Sequence, residues 1–178
     1  MKKITIVIAL LMGACTPKPE TMVPKIQMES QIFLDAINTC NADVATKMLN
    51  ENLVAAIKMK MGDWLKMRKQ GYRTNGFAFQ SAMVGIPEKP QLAGGKYVSF
   101  VPVRTTVVAD DGGNIGQMRI FGPNSVTIES YLVAVSDNKG NSWKFFEAGE
   151  SRQLSAELLP GIAEKLVFPA QMIKATPN

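Results

Sequence analysis

Histidine is absent from this chain of 178 residues. That removes the side chain most used for proton transfer near neutral pH and the commonest zinc ligand, which excludes zinc sites and Ser-His or Cys-His nucleophiles. Cysteine is nearly absent, with Cys15 and Cys40 alone, so no disulfide framework is available. Long apolar runs are missing as well. The one run that stands out, residues 4–11, is far short of the roughly twenty apolar residues that cross a bilayer. No internal repeat is visible. What remains is ordinary globular composition: 46% hydrophobic and 20% charged residues exclude disorder for most of the chain, and the length suits one domain with one core.

The amino-terminal end carries the most specific signal. Lys2 and Lys3 precede the apolar run, and Met12-Gly13-Ala14-Cys15 follow it, the layout of a secretory signal. The Cys at the cleavage point resembles a bacterial lipobox, with Met12 where Leu is usual and Leu11 one residue further back. The resemblance implies cleavage behind Ala14 and a diacylglyceryl group on Cys15, which becomes the acylated mature terminus. An ordinary secretory signal with an incidental Cys is the alternative. Thr16 rather than Asp follows Cys15, and similarity to enterobacterial sorting then implies the outer membrane over the inner. The expected location is the cell envelope, facing the periplasm. Expected partners are the membrane, through the lipid on Cys15, and an envelope protein; nucleic acid is not expected. The net charge of +5 drops to +3 when Lys2 and Lys3 leave, a balance compatible with an anionic lipid surface but diagnostic of none.

The organisation reads as a signal over residues 1–14, a lipidated Cys and flexible tether over 15–25, an α+β domain over 26–150 and a carboxy-terminal strap over 151–178. Pro17, Pro19 and Pro24 among polar residues predict an extended tether. From residue 26, Ile32, Phe33, Ala36, Ile37 and Cys40 form a helical stripe ending at Thr39-Cys40-Asn41. Helical spacing with Ala36 and Ile37 predicts a buried, inert thiol at Cys40, a reactive thiol being the alternative. A short helix capped by Asp43 is expected next, then a third over about 51–70, weakened at Gly62 and stopped by Gly71. Beyond Tyr72 the pattern predicts antiparallel strands over 76–84, 96–108, 117–121 with 126–136, and 142–148. Asp110-Asp111-Gly112-Gly113-Asn114 predicts a reversal, and Pro102 should lie at an edge or bulge. Leu154 to Leu159 reads as a short helical piece at the start of the strap.

Helices followed by a sheet whose final hairpin spans 131–146 resemble the NTF2-like group, the cystatin-like α+β roll, in small exported bacterial proteins. The likeness covers about 26–149. It implies a cone-shaped sheet wrapped on a long helix, in a fold shared by isomerase-like and dehydratase enzymes and by binding and transport modules, so fold alone assigns no activity. Ser136, Asn138, Gly140, Ser142 and Trp143 in that hairpin look like a single Asp-box turn, with polar side chains bonding the backbone, Gly at positive φ and Trp143 anchored in the core. A calcium loop over 137–141 is the weaker reading, since Lys139 intrudes and no acidic residue closes it.

Two constellations bear on function. Lys58, Lys60, Lys66, Lys69 and Arg73, with Arg68, make the densest charge cluster, read as a solvated helix face or as contact with lipid head groups or an anionic partner. The accompanying Met59, Met61, Trp64, Leu65 and Met67 are expected inside. Catalysis in an isomerase-like cone would call on a carboxylate and a phenol. Strand alternation puts Glu129 and Tyr131 on one face of 126–135, and Asp35 is the other carboxylate able to face the sheet. No metal or cofactor is expected, and the sequence specifies no ligand. The leading expectation is a non-enzymatic, lipid-anchored binding or interaction module; the alternatives are a small-molecule isomerase or dehydratase and an accessory subunit of an envelope complex.

Overall fold

The computed structural model describes residues 18–74, 76–109, 114–115, 118–119, 125–148, 157–169 and 174–177. The signal, Cys15, the reversal at 110–113 and the first residues of the expected helical piece at 154 lie outside them.

Helix α1 spans Pro19–Asn38, so helical structure begins seven residues ahead of the expected tether boundary. Pro19 occupies the first turn, where an N–H has no intrahelical partner to lose. Pro24 does cost an internal hydrogen bond. Met22 and Ile26, fully packed on either side of it, offset that cost by burying the stripe that Ser30, Phe33, Leu34 and Ile37 continue. At the far end Cys40 adopts φ +56°, turning the chain into the next helix. Its thiol is consequently half-buried at the margin of the core rather than sealed within it.

Helix α2, Ala42–Met48, is capped by Asn41, whose side chain accepts from the Val44 N–H at 3.2 Å; Asp43 sits in the first turn instead. Helix α3, Glu51–Ala56, is capped by Asn50. Helix α4, Met61–Thr74, follows after a break at residues 57–60, ahead of Gly62, with the Lys60 carbonyl accepting from Asp63 and Trp64. Gly71 does not end α4. Its cost of about 1 kcal/mol is offset by one further turn that seats Tyr72 against the cluster of Phe77, Val107, Ala109 and Val126.

Among the described residues eight strands follow: β1 Phe77–Val84, β2 Gln91–Ala93, β3 Lys96–Ala109, β4 Asn114–Ile115, β5 Met118–Arg119, β6 Ser125–Ser136, β7 Lys144–Glu147 and β8 Lys174–Pro177. The main sheet runs β1-β3-β6-β7, antiparallel throughout, with β2 added to β3 and β8 to β6. The architecture is α+β, helices followed by a curled antiparallel half-barrel. Instead of extending β6, Met118–Arg119 pairs with Asn114–Ile115 in a separate two-stranded ribbon.

Pro102 lies in the long interior strand β3, opposite Tyr131. Its carbonyl accepts from the Gly85 N–H at 2.8 Å, just past the end of β1. Backbone groups of one residue point to one side in an antiparallel strand, so the missing N–H also faces the point where β1 stops, and the β3–β6 ladder loses no bond. A Cβ on Gly85 would sit 3.2 Å from the Pro102 ring, which explains glycine there.

Both sheet faces carry buried clusters. Tyr97, Val101, Val103, Leu132, Ala134 and Phe145 face the helices, and Phe33 stacks on Phe145 at 5.2 Å. Val98, Phe100, Val133, Val135 and Phe146 face the other way, under Leu158, Leu159, Ile162 and Leu166 of the carboxy-terminal segment. At the hairpin the Ser136 hydroxyl accepts from the Gly140 N–H at 2.9 Å, and Asn138 Oδ1 accepts from the Ser142 N–H at 3.0 Å. Trp143 is buried beside α1, its backbone N–H donating to Glu29 Oε2 at 3.1 Å.

Gly140 combines φ +86° with an approach that would put a Cβ 2.9 Å from the Met22 sulfur. Gly140→Ala is expected to lower stability by about 1–3 kcal/mol in chemical denaturation. Combined with Met22→Ala, the loss should be smaller than the sum of the two singles; strict additivity would show that the turn and α1 do not meet there.

Candidate functional site

Five residues of α4, namely Met61, Trp64, Leu65, Arg68 and Tyr72, fall within one arc of about 100° at helical periodicity. Packing against α2 and β1 turns this arc toward the interior. Lys66, Lys69 and Arg73 fall on the reverse and are exposed, as are Lys58 and Lys60 in the approach to the helix. Arg68 is therefore separated from the cluster to which the sequence assigns it: its neighbours one turn away on either side are Trp64 and Tyr72.

Trp64, Arg68 and Tyr72 of this arc form one wall of a cavity of about 390 Å³, a size within the range of small-molecule pockets. Phe33 and Ile37 of α1, Leu53 of α3, Ile128 and Ser130 of β6, Thr105 of β3 and Leu158 complete most of the lining. The walls are mainly hydrocarbon and aromatic. Polar chemistry comes from the Thr105 and Ser130 side chains on the sheet, the Tyr72 phenol, and the Arg68 guanidinium with the Glu147 carboxylate.

Arg68 and Glu147 form a two-pronged ion pair between α4 and the end of β7, with Arg68 Nε donating to Glu147 Oε2 at 3.3 Å and the terminal guanidinium nitrogen donating to Oε1. The Arg68 side chain is only 19% exposed, whereas that of Glu147 is 48% exposed. With one partner half in water, such a pair contributes at most about 1 kcal/mol, even with favourable fork geometry. Burial pushes the Tyr72 phenol above its usual range, the nearby Arg68 charge opposing and the Glu147 charge reinforcing that shift. At neutral pH Tyr72 is accordingly a hydrogen-bond donor.

The carboxylates and phenol singled out from sequence lie elsewhere. Pairing of Arg104 with Glu129 across β3 and β6 fixes Glu129 on the face turned away from the helices, and Arg104 Nε donates to its carboxylate at 3.0 Å. Tyr131 shares that face and packs on the cluster beneath the carboxy-terminal segment. Asp35 is exposed on α1, accepting from Gln31 Nε2 at 2.9 Å. None of the three lines the cavity. Met59 and Met67, expected inside, are about half exposed.

Sequence reasoning missed Tyr72 and Glu147 and misassigned Arg68. The signal for Arg68 and Tyr72 was present, because spacings of four from Trp64 place both on the buried arc. Nothing local marks Glu147, which meets Arg68 across 79 positions. Among the described residues no group of three or more Cys, Asp or Glu side chains is placed to hold a metal ion, and no helix is long and apolar enough to cross a membrane.

A phenol with a raised folded-state pKa holds its proton more tightly folded than unfolded. Its contribution to stability is complete below the unfolded value of about 10 and is lost as pH rises through the folded value. Tyr72→Phe should therefore flatten the alkaline fall of the denaturation midpoint that sets in above about pH 10. Parallel curves for the variant and the parent would contradict the burial of this phenol.

Comparison with family models, with curated proteins and with solved structures finds no match for this chain.

Proposed function

We propose that this chain is a lipid-anchored binding module of the cell envelope, with an NTF2-like domain that holds a small, largely apolar molecule between its helices and its sheet. The observation that carries the reading is the cavity: about 390 Å³, walled by side chains such as Phe33, Ile37, Leu53, Trp64 and Ile128, with few polar groups. Helices ahead of a curled antiparallel sheet are what an NTF2-like cone requires. An isomerase-type enzyme built on Glu129, Tyr131 and Asp35 draws no support, because those groups neither converge nor reach the cavity.

Anchoring through Cys15 on the outer membrane is supported by the signal and lipobox pattern. The early start of α1 sharpens what such an anchor would do. Cys15 precedes Lys18 by three residues, so at most about 11 Å of chain would link lipid to folded domain. The end of the domain held nearest the lipid would be the first turn of α1, with its neighbours Lys89, paired to Glu20, and the turn carrying Lys139, against which Met22 packs. The α4 cations sit toward the opposite end, since α4 delivers the chain into β1 at Phe77, across from Ala109 at the far end of β3. On this reading Lys66, Lys69 and Arg73 are available to an envelope protein rather than to the bilayer.

Two measurements test the proposal. Cys15→Ala should abolish incorporation of labelled palmitate and move the chain from the membrane to the soluble fraction; continued labelling and sedimentation with membranes would refute anchoring. The neutral fluorophore Nile red should bind saturably to the parent chain, and Leu53→Trp, which fills the cavity, should weaken it by about tenfold or more. Equal binding by both chains would place the probe elsewhere and remove the support for a binding cavity.

A further inference from the structure

The cavity wall is mainly apolar, and the one cation set into it, beside a phenol and two hydroxyl side chains, specifies more than a greasy ligand. Arg68 stands between Trp64 and Tyr72 on the inward arc of α4, mostly shielded from water, while the carboxylate that neutralises it comes from an edge strand and is half exposed. An arginine that merely decorated the helix would lie with Lys66, Lys69 and Arg73 on the opposite side. A guanidinium is planar and forked and matches a carboxylate with two parallel hydrogen bonds. Glu147 occupies that fork in the present structure, held by a contact that water weakens on its exposed side. The phenol of Tyr72, one turn along, lines the same cavity.

We infer that the ligand is an amphiphile with one carboxylate at the end of a medium-length hydrocarbon body: its acid group replaces Glu147 on the Arg68 fork and its chain fills the space between Phe33, Ile37 and Ile128. Glu147 then acts as an internal stand-in for the ligand acid. It keeps the guanidinium neutralised in the empty state and swings toward solvent, where its charge is hydrated, when the ligand binds. The ligand acid meets the fork inside the cavity, where water weakens the pair less than it weakens the half-exposed Glu147 contact, so the fork adds to the burial of the hydrocarbon body. An alcohol of the same length gains the burial but cannot replace Glu147 on the fork. A cationic amphiphile is repelled by Arg68.

The inference rests on the cavity being a binding site, and the test separates the two claims. Decanoic acid and decanol, each below its aggregation threshold, are titrated by calorimetry into the full chain and into Arg68→Gln and Glu147→Gln. The parent should bind the acid about tenfold or more tightly than the alcohol. Arg68→Gln should erase that difference, and saturable binding of the alcohol by the variant shows that the cavity has kept its shape. Glu147→Gln, lacking the competing charge, should bind the acid about threefold or more tightly than the parent. Equal affinities for acid and alcohol, or acid binding indifferent to Arg68→Gln, would overturn the carboxylate assignment while leaving the cavity reading intact. Failure of both ligands to bind any of the three chains would overturn both.

Discussion

The long antiparallel ladder between β3 and β6 is the constraint on which the remainder of the molecule depends. It runs without interruption from Tyr97 opposite Ser136 to Val108 opposite Ser125, and near its hairpin end both faces are covered. Side chains alternate with a period of two, so a slip of one residue would exchange the set under the helices for the set under the carboxy-terminal segment. Several features lock the register at once. Pro102 turns its missing donor toward the end of β1, Arg104 meets Glu129 across the strands, and the tight turn beginning at Ser136 fixes the hairpin into β7.

The cavity is a consequence of how that ladder is furnished. Near the hairpin, Trp143, Phe145, Leu132 and Val101 fill the space beneath α1. Further along the same face the pairs become Val103 with Ser130 and Thr105 with Ile128, smaller or more polar, and the space between them and α4 stays open. Placing Arg68 in that wall works against tight packing, since a charge among aromatic side chains must be partnered or hydrated. Glu147, at the end of the short strand β7, is the partner within reach. A helix-to-sheet contact of this kind links α4 to the sheet edge at the cavity itself.

Much of the architecture could be read along the chain because its signals are local. Strand alternation and punctuation located β1, β3, β6 and β7 to within a residue or two of their ends, and the spacing of Ser136, Asn138, Gly140, Ser142 and Trp143 described a turn whose hydrogen bonds match it. The failures have physical causes too. Proline content argued against helix before residue 26, yet burial of Met22 and Ile26 outweighs one lost hydrogen bond at Pro24. Asn41, rather than Asp43, caps the second helix, because a cap depends on where the backbone enters the helix and not on the best acidic residue nearby, and the expected third helix breaks at residues 57–60, ahead of Gly62. Arg68 was grouped with its sequence neighbours when its helical phase grouped it with Trp64 and Tyr72.

By itself the sequence determined the succession of helices and strands, the absence of histidine chemistry, the two alternating faces of β6 and the turn built on Gly140, all of which follow from the composition and periodicity of short stretches. Which face of β6 looks toward the helices was decided only when β3, β6 and α1 came together, and with it the exclusion of Glu129 and Tyr131 from the cavity. The meeting of Arg68 with Glu147 belongs to the tertiary structure in the same way. The chain carries the charge on each residue, but only the folded sheet brings two positions so far apart in the chain close enough for that charge to matter.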